Sequence, residues 1–207
     1  MSPRTEETNQ RIREEQRERI LKAARTVFAH KGFTDTKMTD IAAAAGVSYG
    51  LAYHYFKDKE EIFTRLIEEA LSSSLALTER AREQPGTPWE HLHWLTSHML
   101  HGAQHQPEAF MVVMQAFTND AVPREARELA WKSSEASLVM FKQLIIEGQA
   151  AGQVVAGNPE HLANVFGWCI QGMALGIGFM NRQPLDISIL PVTSLPGADD
   201  ILRILKA

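Results

Sequence analysis

Apolar residues recur along this chain at intervals of three and four, and no stretch of useful length alternates apolar and polar positions as a strand would. The pattern predicts helices throughout. The first amphipathic run spans residues 15–31, with Ile20, Leu21, Ala24, Val27 and Phe28 on one face; Gly32 stops it, and Phe33 stands where a residue folds back onto Phe28 in a Schellman ending. Thr39 is placed as the N-cap of a short helix over 41–45 that Gly46 ends, and Ser48 as the N-cap of a second over 49–56. Asp58, with Glu61 three residues on, is read as a carboxylate capping box for a third. That third helix runs to about residue 82 with Ile62, Phe63, Leu66, Ala70, Leu71 and Leu75 as its buried stripe, before Gln84, Pro85, Gly86, Thr87 and Pro88 break it. Further helices are predicted over 89–105, 107–118, 123–151, 159–182 and 199–206.

Two short helices joined by a glycine-containing turn have the proportions of a helix-turn-helix, whose second helix enters the major groove of DNA. The composition of that second helix strengthens the reading. Gly50 falls in its first turn, where glycine costs about 1 kcal/mol relative to alanine, and a residue without a side chain would let the backbone approach a duplex closely. Tyr49, Tyr53, His54 and Tyr55 add hydrogen-bonding tips on semi-rigid rings, while Lys57 and Lys59 add positive charge. The competing assignment for aromatic residues in a helix is core, and Phe56 is given that role.

Net charge modifies the picture only by its distribution. The 207 residues carry a formal charge of −4, yet residues 1–60 hold 11 Lys and Arg against 9 Asp and Glu, and the rest hold 10 against 16. The amino-terminal part is therefore the one suited to phosphate. Residues 1–14 are polar without periodicity and are expected to form a flexible arm, with Arg4, Arg11 and Arg13 in reach of phosphate or a minor groove. The single Cys169 excludes an internal disulfide and is read as a small core residue. The charged amino terminus has no apolar h-region, so a cytoplasmic location is expected.

The helix over 159–182 is apolar around most of its circumference, with Leu162, Val165, Phe166, Trp168, Ile170, Met173, Leu175, Ile177 and Phe179. A membrane span is rejected because Asn164, Gln171 and His161 shorten the apolar run below the roughly 20 residues a bilayer needs. A subunit interface fits better. Gly172 and Gly176 would let helices approach closely, and Leu138, Phe141, Leu144 and Ile145 of the preceding long helix could face it. Between the two ends lies a middle rich in methionine and aromatics, in which Trp94, Met99, Met111, Met114, Phe117 and Met140 are candidates to line a pocket for an apolar or aromatic small molecule; ordinary core is the competing assignment. His98, His101 and His105 share a helix face at a spacing that metal ligands can use, but no cysteine and no nearby carboxylate pair completes a site, so neither a metal nor a cofactor is assigned.

The run VSYGLAYHYFKDKEEIF, preceded by MTDIAAAAG, resembles the DNA-binding region of the TetR family of bacterial transcriptional regulators, and the resemblance covers about the first third of the chain. It implies operator contacts at Thr39, Ser48, Tyr49, Gly50, Tyr53, His54, Tyr55 and Lys59, and a homodimer in which two carboxy-terminal helices meet their symmetry mates in a four-helix bundle. Leu51 stands where the family commonly has a small polar residue and Ala52 where it has a larger apolar anchor; Leu51 is then either a thymine-methyl contact or a buried compensation for Ala52. The expectation is an all-α regulator with a DNA-binding three-helix unit at 1–62 and a larger ligand-binding and dimerisation domain at 63–207. It would bind a palindromic double-stranded operator as a homodimer and be released by a small-molecule effector. A helical adaptor for a protein partner is the alternative, separable by salt-dependent duplex binding. No nucleophile, base and orienting group appear as a set, so an enzyme is not expected.

Overall fold

The computed structural model describes residues 3–182 and 196–207, with side chains from 6 to 178 and from 196 to 207. The described residues form α1 (Pro3–Lys31), α2 (Met38–Ala45), α3 (Tyr49–Tyr55), α4 (Lys59–Glu83), α5 (Pro88–His105), α6 (Pro107–Thr118), α7 (Arg124–Ala150), α8 (Pro159–Arg182) and α9 (Ala198–Leu202). Their one extended pairing is an isolated antiparallel bridge between Val154 and Lys206. The side chains of Arg4 and Phe179, both singled out above, lie outside the described residues.

Most helix ends follow from local chemistry. The Ser48 hydroxyl accepts from the Leu51 amide at 3.2 Å, and the Asp58 carboxylate accepts from the Glu61 amide at 2.8 Å. Thr87 and Glu90 cap the start of α5 reciprocally, with Pro88 in its first turn. Gly46 ends α2 in the left-handed conformation at φ 62°, and the Val47 amide donates back to the Ala42 carbonyl at 3.0 Å. Gly32, at φ 84°, does the same for α1, and Phe33 stacks back on Phe28 with ring centroids 5.9 Å apart.

Four expectations are corrected. Helix α1 starts at Pro3, so Arg11 and Arg13 belong to a helix instead of an arm. Residues 6–15 are all exposed, and glutamate, glutamine and arginine favour a helix without needing an apolar face, as the Arg11–Glu15 pair at 3.5 Å illustrates. Helix α2 is capped at Lys37, not Thr39, because Asp40 organises the start: its carboxylate accepts from the Lys37 amide at 2.8 Å and from the Lys31 ammonium at 2.6 Å. Leu75 is exposed, since the apolar face of α4 rotates away from the core there. Helix α9 stops at Leu202, and the chain then turns so that the Leu205 carbonyl accepts from the Val155 amide at 2.9 Å.

Two main cores result. The first joins α1, α2, α3 and the start of α4 to α6 and the start of α7; its centre is a ring cluster in which Phe63 meets Phe28 edge-on at 5.2 Å and Phe33 at 5.0 Å. Each such pair adds about 0.5–1.5 kcal/mol beyond burial itself. The second joins the end of α4 to α5, α7, α8 and α9, with Phe141 and Phe166 edge-on at 4.9 Å. Helix α4 belongs to both: Ile62, Phe63, Leu66 and Ile67 bury in the first, Ala81 in the second. It is the beam connecting the helix-turn-helix to the remainder. Among the described residues no helix is long and apolar enough to cross a membrane.

Candidate nucleic-acid interface

Helix α3 is short, and its two faces are sharply different. Ala52 is completely buried and Phe56, just past its end, nearly so, which seats the helix on α1, α2 and α4. Ala52 is therefore the anchor although it is small, and Leu51 lies half-buried beside it. Tyr49, Gly50, Tyr53 and His54 point outward, with Tyr49 52% and Tyr53 42% exposed. That much aromatic surface left in water on a seven-residue helix is poor use of apolar area unless a partner covers it.

The two exposed tyrosines lie one turn apart with ring centroids at 4.7 Å and meet edge-on, so they present a single rigid pair of phenols. The hydrogen-bonding proximity of Tyr49 raises the Tyr53 phenol above its ordinary value and keeps it a neutral donor. An added Cβ at Gly50 would meet nothing within 4 Å, so nothing inside the protein demands glycine there. Tyr55 turns inward and packs against the first core, while His54 meets its ring edge-on at 5.3 Å. Thr39 is exposed in the first turn of α2, and the Ser48 hydroxyl is already engaged as a cap.

Lys59 is turned away from this face. Its ammonium donates to the carbonyls of Phe33 at 2.8 Å, Thr36 at 2.9 Å and Thr34 at 3.2 Å, and sits 4.5 Å from the centre of the Phe33 ring. All three N–H groups are used, which makes Lys59 a clasp on the loop between α1 and α2. The cation left outside is Lys57, whose side chain is 87% exposed. Sequence reasoning also missed Arg17, stacked 4.6 Å over Phe56, and Arg19, which donates to the Gly46 carbonyl at 3.3 Å. Their signal was their place in the helix packed under α3.

The candidate ligand residues do not line one cavity. Met111 and Phe117 pack against the first core, Trp94 and Met99 against the second, and Met114 and Met140 are half-buried. Trp94 stacks on His98 at 3.7 Å, and Phe117 meets Trp131 edge-on at 5.1 Å. Met111 alone of the six reaches a described cleft, a space of about 370 Å³ shared with His30, Gln104, His105, Pro107, Glu108 and Gly178. His98 and His105 turn their Nδ1 atoms onto the carbonyls of Trp94 and His101, at 2.8 and 2.9 Å, and do not converge on a common point.

Residues 20–66, spanning the end of α1 through the first turns of α4, match the sequence profile of bacterial regulatory proteins of the tetR family. That segment is similar to the DNA-binding region of the family, and the chain is a DNA-binding transcriptional regulator and not an enzyme. The HTH-type transcriptional regulator YfiR of Bacillus subtilis is 28% identical over 175 residues, covering 82% of this chain and 83% of its own. The MbdR regulator from Azoarcus sp. CIB shares the fold with a TM-score of 0.73 at 22% identity, over 81% of this chain and 88% of that one. AibR, solved in complex with isovaleryl coenzyme A and operator DNA, does so with a TM-score of 0.66 at 15% identity, over 91% and 94%.

Proposed function

We propose that this protein is a ligand-released repressor that binds a two-fold symmetric operator as a homodimer. The observation that carries the reading is the face of α3: Tyr49, Gly50, Tyr53 and His54 stand outward on a helix locked from behind by Ala52 and Phe56. Thr39 and Ser48 flank that face, with Lys57 as the nearby exposed cation. Phenol and imidazole tips suit phosphate oxygens, which fix register, and Gly50 admits the backbone to the groove wall. Tyr55 and Lys59 support the unit from within.

Dimerisation is supported by an uncovered face on α7 and α8. Val139 is 60% exposed and Trp168 67%, with Ile146, Val165, Gly172 and Gly176 exposed on the same two helices. Val165, Trp168, Gly172 and Gly176 fall at helical spacing on one side of α8, and a Cβ added to either glycine would meet nothing in the protomer. A second copy of this face would bury them and hold two α3 helices at a fixed separation, as half-sites one helical turn apart require. For the effector, the cleft at Met111 offers His30, Gln104, His105 and Glu108 around an apolar patch, which suits a molecule with hydrogen-bonding groups at one end and an apolar body. A cytoplasmic location follows from this role.

Selection of bound duplexes from a random pool tests the function. The expected product is a two-fold symmetric sequence whose binding weakens steeply with salt. A pool that enriches no sequence, or binding indifferent to salt, would remove the regulator reading.

A further inference from the structure

One side chain of α6 reaches across to the end of α1. The Gln115 amide nitrogen donates to the Phe28 carbonyl at 2.9 Å, and its oxygen accepts from the Phe33 backbone amide at 2.7 Å. These are the two backbone groups on either side of the left-handed Gly32 turn, so the carboxamide closes that turn from outside. Four residues on, the Asn119 amide nitrogen lies 3.4 Å from the Thr34 hydroxyl. From the opposite side the Lys59 ammonium holds the carbonyls of Phe33, Thr34 and Thr36. Residues 33–36, which lead directly into α2, are thus gripped between α6 and α4.

The other end of this contact leads into the ligand-binding part. One turn before Gln115, Met111 packs against Gly178 of α8 so closely that an added Cβ would lie 3.0 Å from its Cγ. Met111 also lines the cleft of about 370 Å³. A shift of α6 at Met111 carries Gln115 with it, because both residues sit on one continuous helix, so the Gly32 turn must follow or the two bonds break.

We propose that Gln115 is a positioning residue that sets the helix-turn-helix relative to α6, so that displacement of α6 changes operator affinity through this carboxamide. The inference rests on the DNA-binding reading above. A coupling element needs two arrangements that bind DNA unequally, and a bidentate amide across two helices is either made or broken.

The test needs no effector. Amide hydrogen exchange on the full chain comes first: in Gln115→Leu the Phe33 amide loses protection, whereas the Gly32 amide, bonded to the Phe28 carbonyl at 2.9 Å, keeps it. Unchanged Phe33 protection would overturn the contact itself, whatever the protein does with DNA. The second measurement is a double-mutant cycle on the selected operator duplex, with Gly178→Leu pushing on Met111. That substitution should change operator Kd by about fivefold or more in the parent, the low end of measured couplings, and by less than about twofold in the Gln115→Leu background. Equal changes in both backgrounds would overturn the proposal and leave Gln115 a merely structural bond. If Gln115→Leu fails to fold, Gln115→Glu replaces it in the cycle alone, since it loses the donor to Phe28 while keeping the acceptor that protects the Phe33 amide. Absence of duplex binding by the parent chain would overturn the coupling together with the DNA-binding reading, and loss of Phe33 protection in Gln115→Leu would show that the contact itself stands.

Discussion

Lys59 shows how much a single side chain can change its meaning when its neighbours are known. Three charge-assisted bonds to backbone carbonyls make it part of the fold, and hydrogen bonds to charged groups contribute about 1.5–3 kcal/mol each at most. Lys59→Met is expected to lower stability to urea by about 2 kcal/mol while leaving the salt dependence of duplex binding unchanged. Lys57→Ala should do the reverse, with stability intact and the slope of log K against log salt reduced by about one. Gly50→Ala separates fold from function in the same way: with open space around its Cβ, alanine should raise stability by about 0.5–1 kcal/mol and yet weaken operator binding. Operator affinity equal to the parent would show that close backbone approach is not why glycine stands there. Asp40 carries a pH signature. The hydrogen bond from the Lys31 ammonium, then that from the Lys37 amide, holds its carboxyl below the ordinary 3.8. A carboxyl lowered by folding stabilises the native state fully above its unfolded value, and that contribution fades as pH falls through the native one. Asp40→Asn should therefore melt below the parent at neutral pH, with the two melting temperatures converging in acid below 3.8.

At the scale of the element, α8 divides its surface between a buried and an exposed side. Ala163, Phe166, Ile170, Ala174 and Ile177 bury within the chain, leaving Val165, Trp168, Gly172 and Gly176 outward. Replacing Gly172 by tryptophan would normally threaten a helix packed on several sides, but in this protomer the space is open. The expected outcome of Gly172→Trp is a folded chain with parental helicity that elutes as a monomer, measured by light scattering. A variant that stays dimeric would place the contact elsewhere. The apolar periodicity made α8 visible in sequence, and the same periodicity could not say which side the protomer would leave exposed. Helix α1 illustrates the opposite failure: residues 6–15 carry no apolar stripe and are all exposed, and so gave no periodic signal.

Across the whole molecule, the helix-turn-helix shares a buried core with α4, α6 and α7 of the larger helical part. In the proposed dimer the second copy would set how many phosphates are neutralised at once. A monomeric variant should bind operator more weakly and with roughly half the parental salt slope, since the slope follows the number of phosphate contacts.

What the sequence by itself determined is local. Helix starts at Ser48 and Asp58, the stops at Gly32 and Gly46, and the outward Tyr49, Gly50, Tyr53 and His54 all depend on interactions within a few residues of chain, where spacing is geometry. Tertiary structure decided the rest. Whether Lys59 met a duplex or a carbonyl depended on a loop 23 to 26 residues away, and the partners of Gln115 lie 82 and 87 residues away. The six methionine and aromatic candidates scattered for the same reason: hydrophobic burial has no direction, so composition marks them as inward without saying which core, cleft or neighbour each one meets.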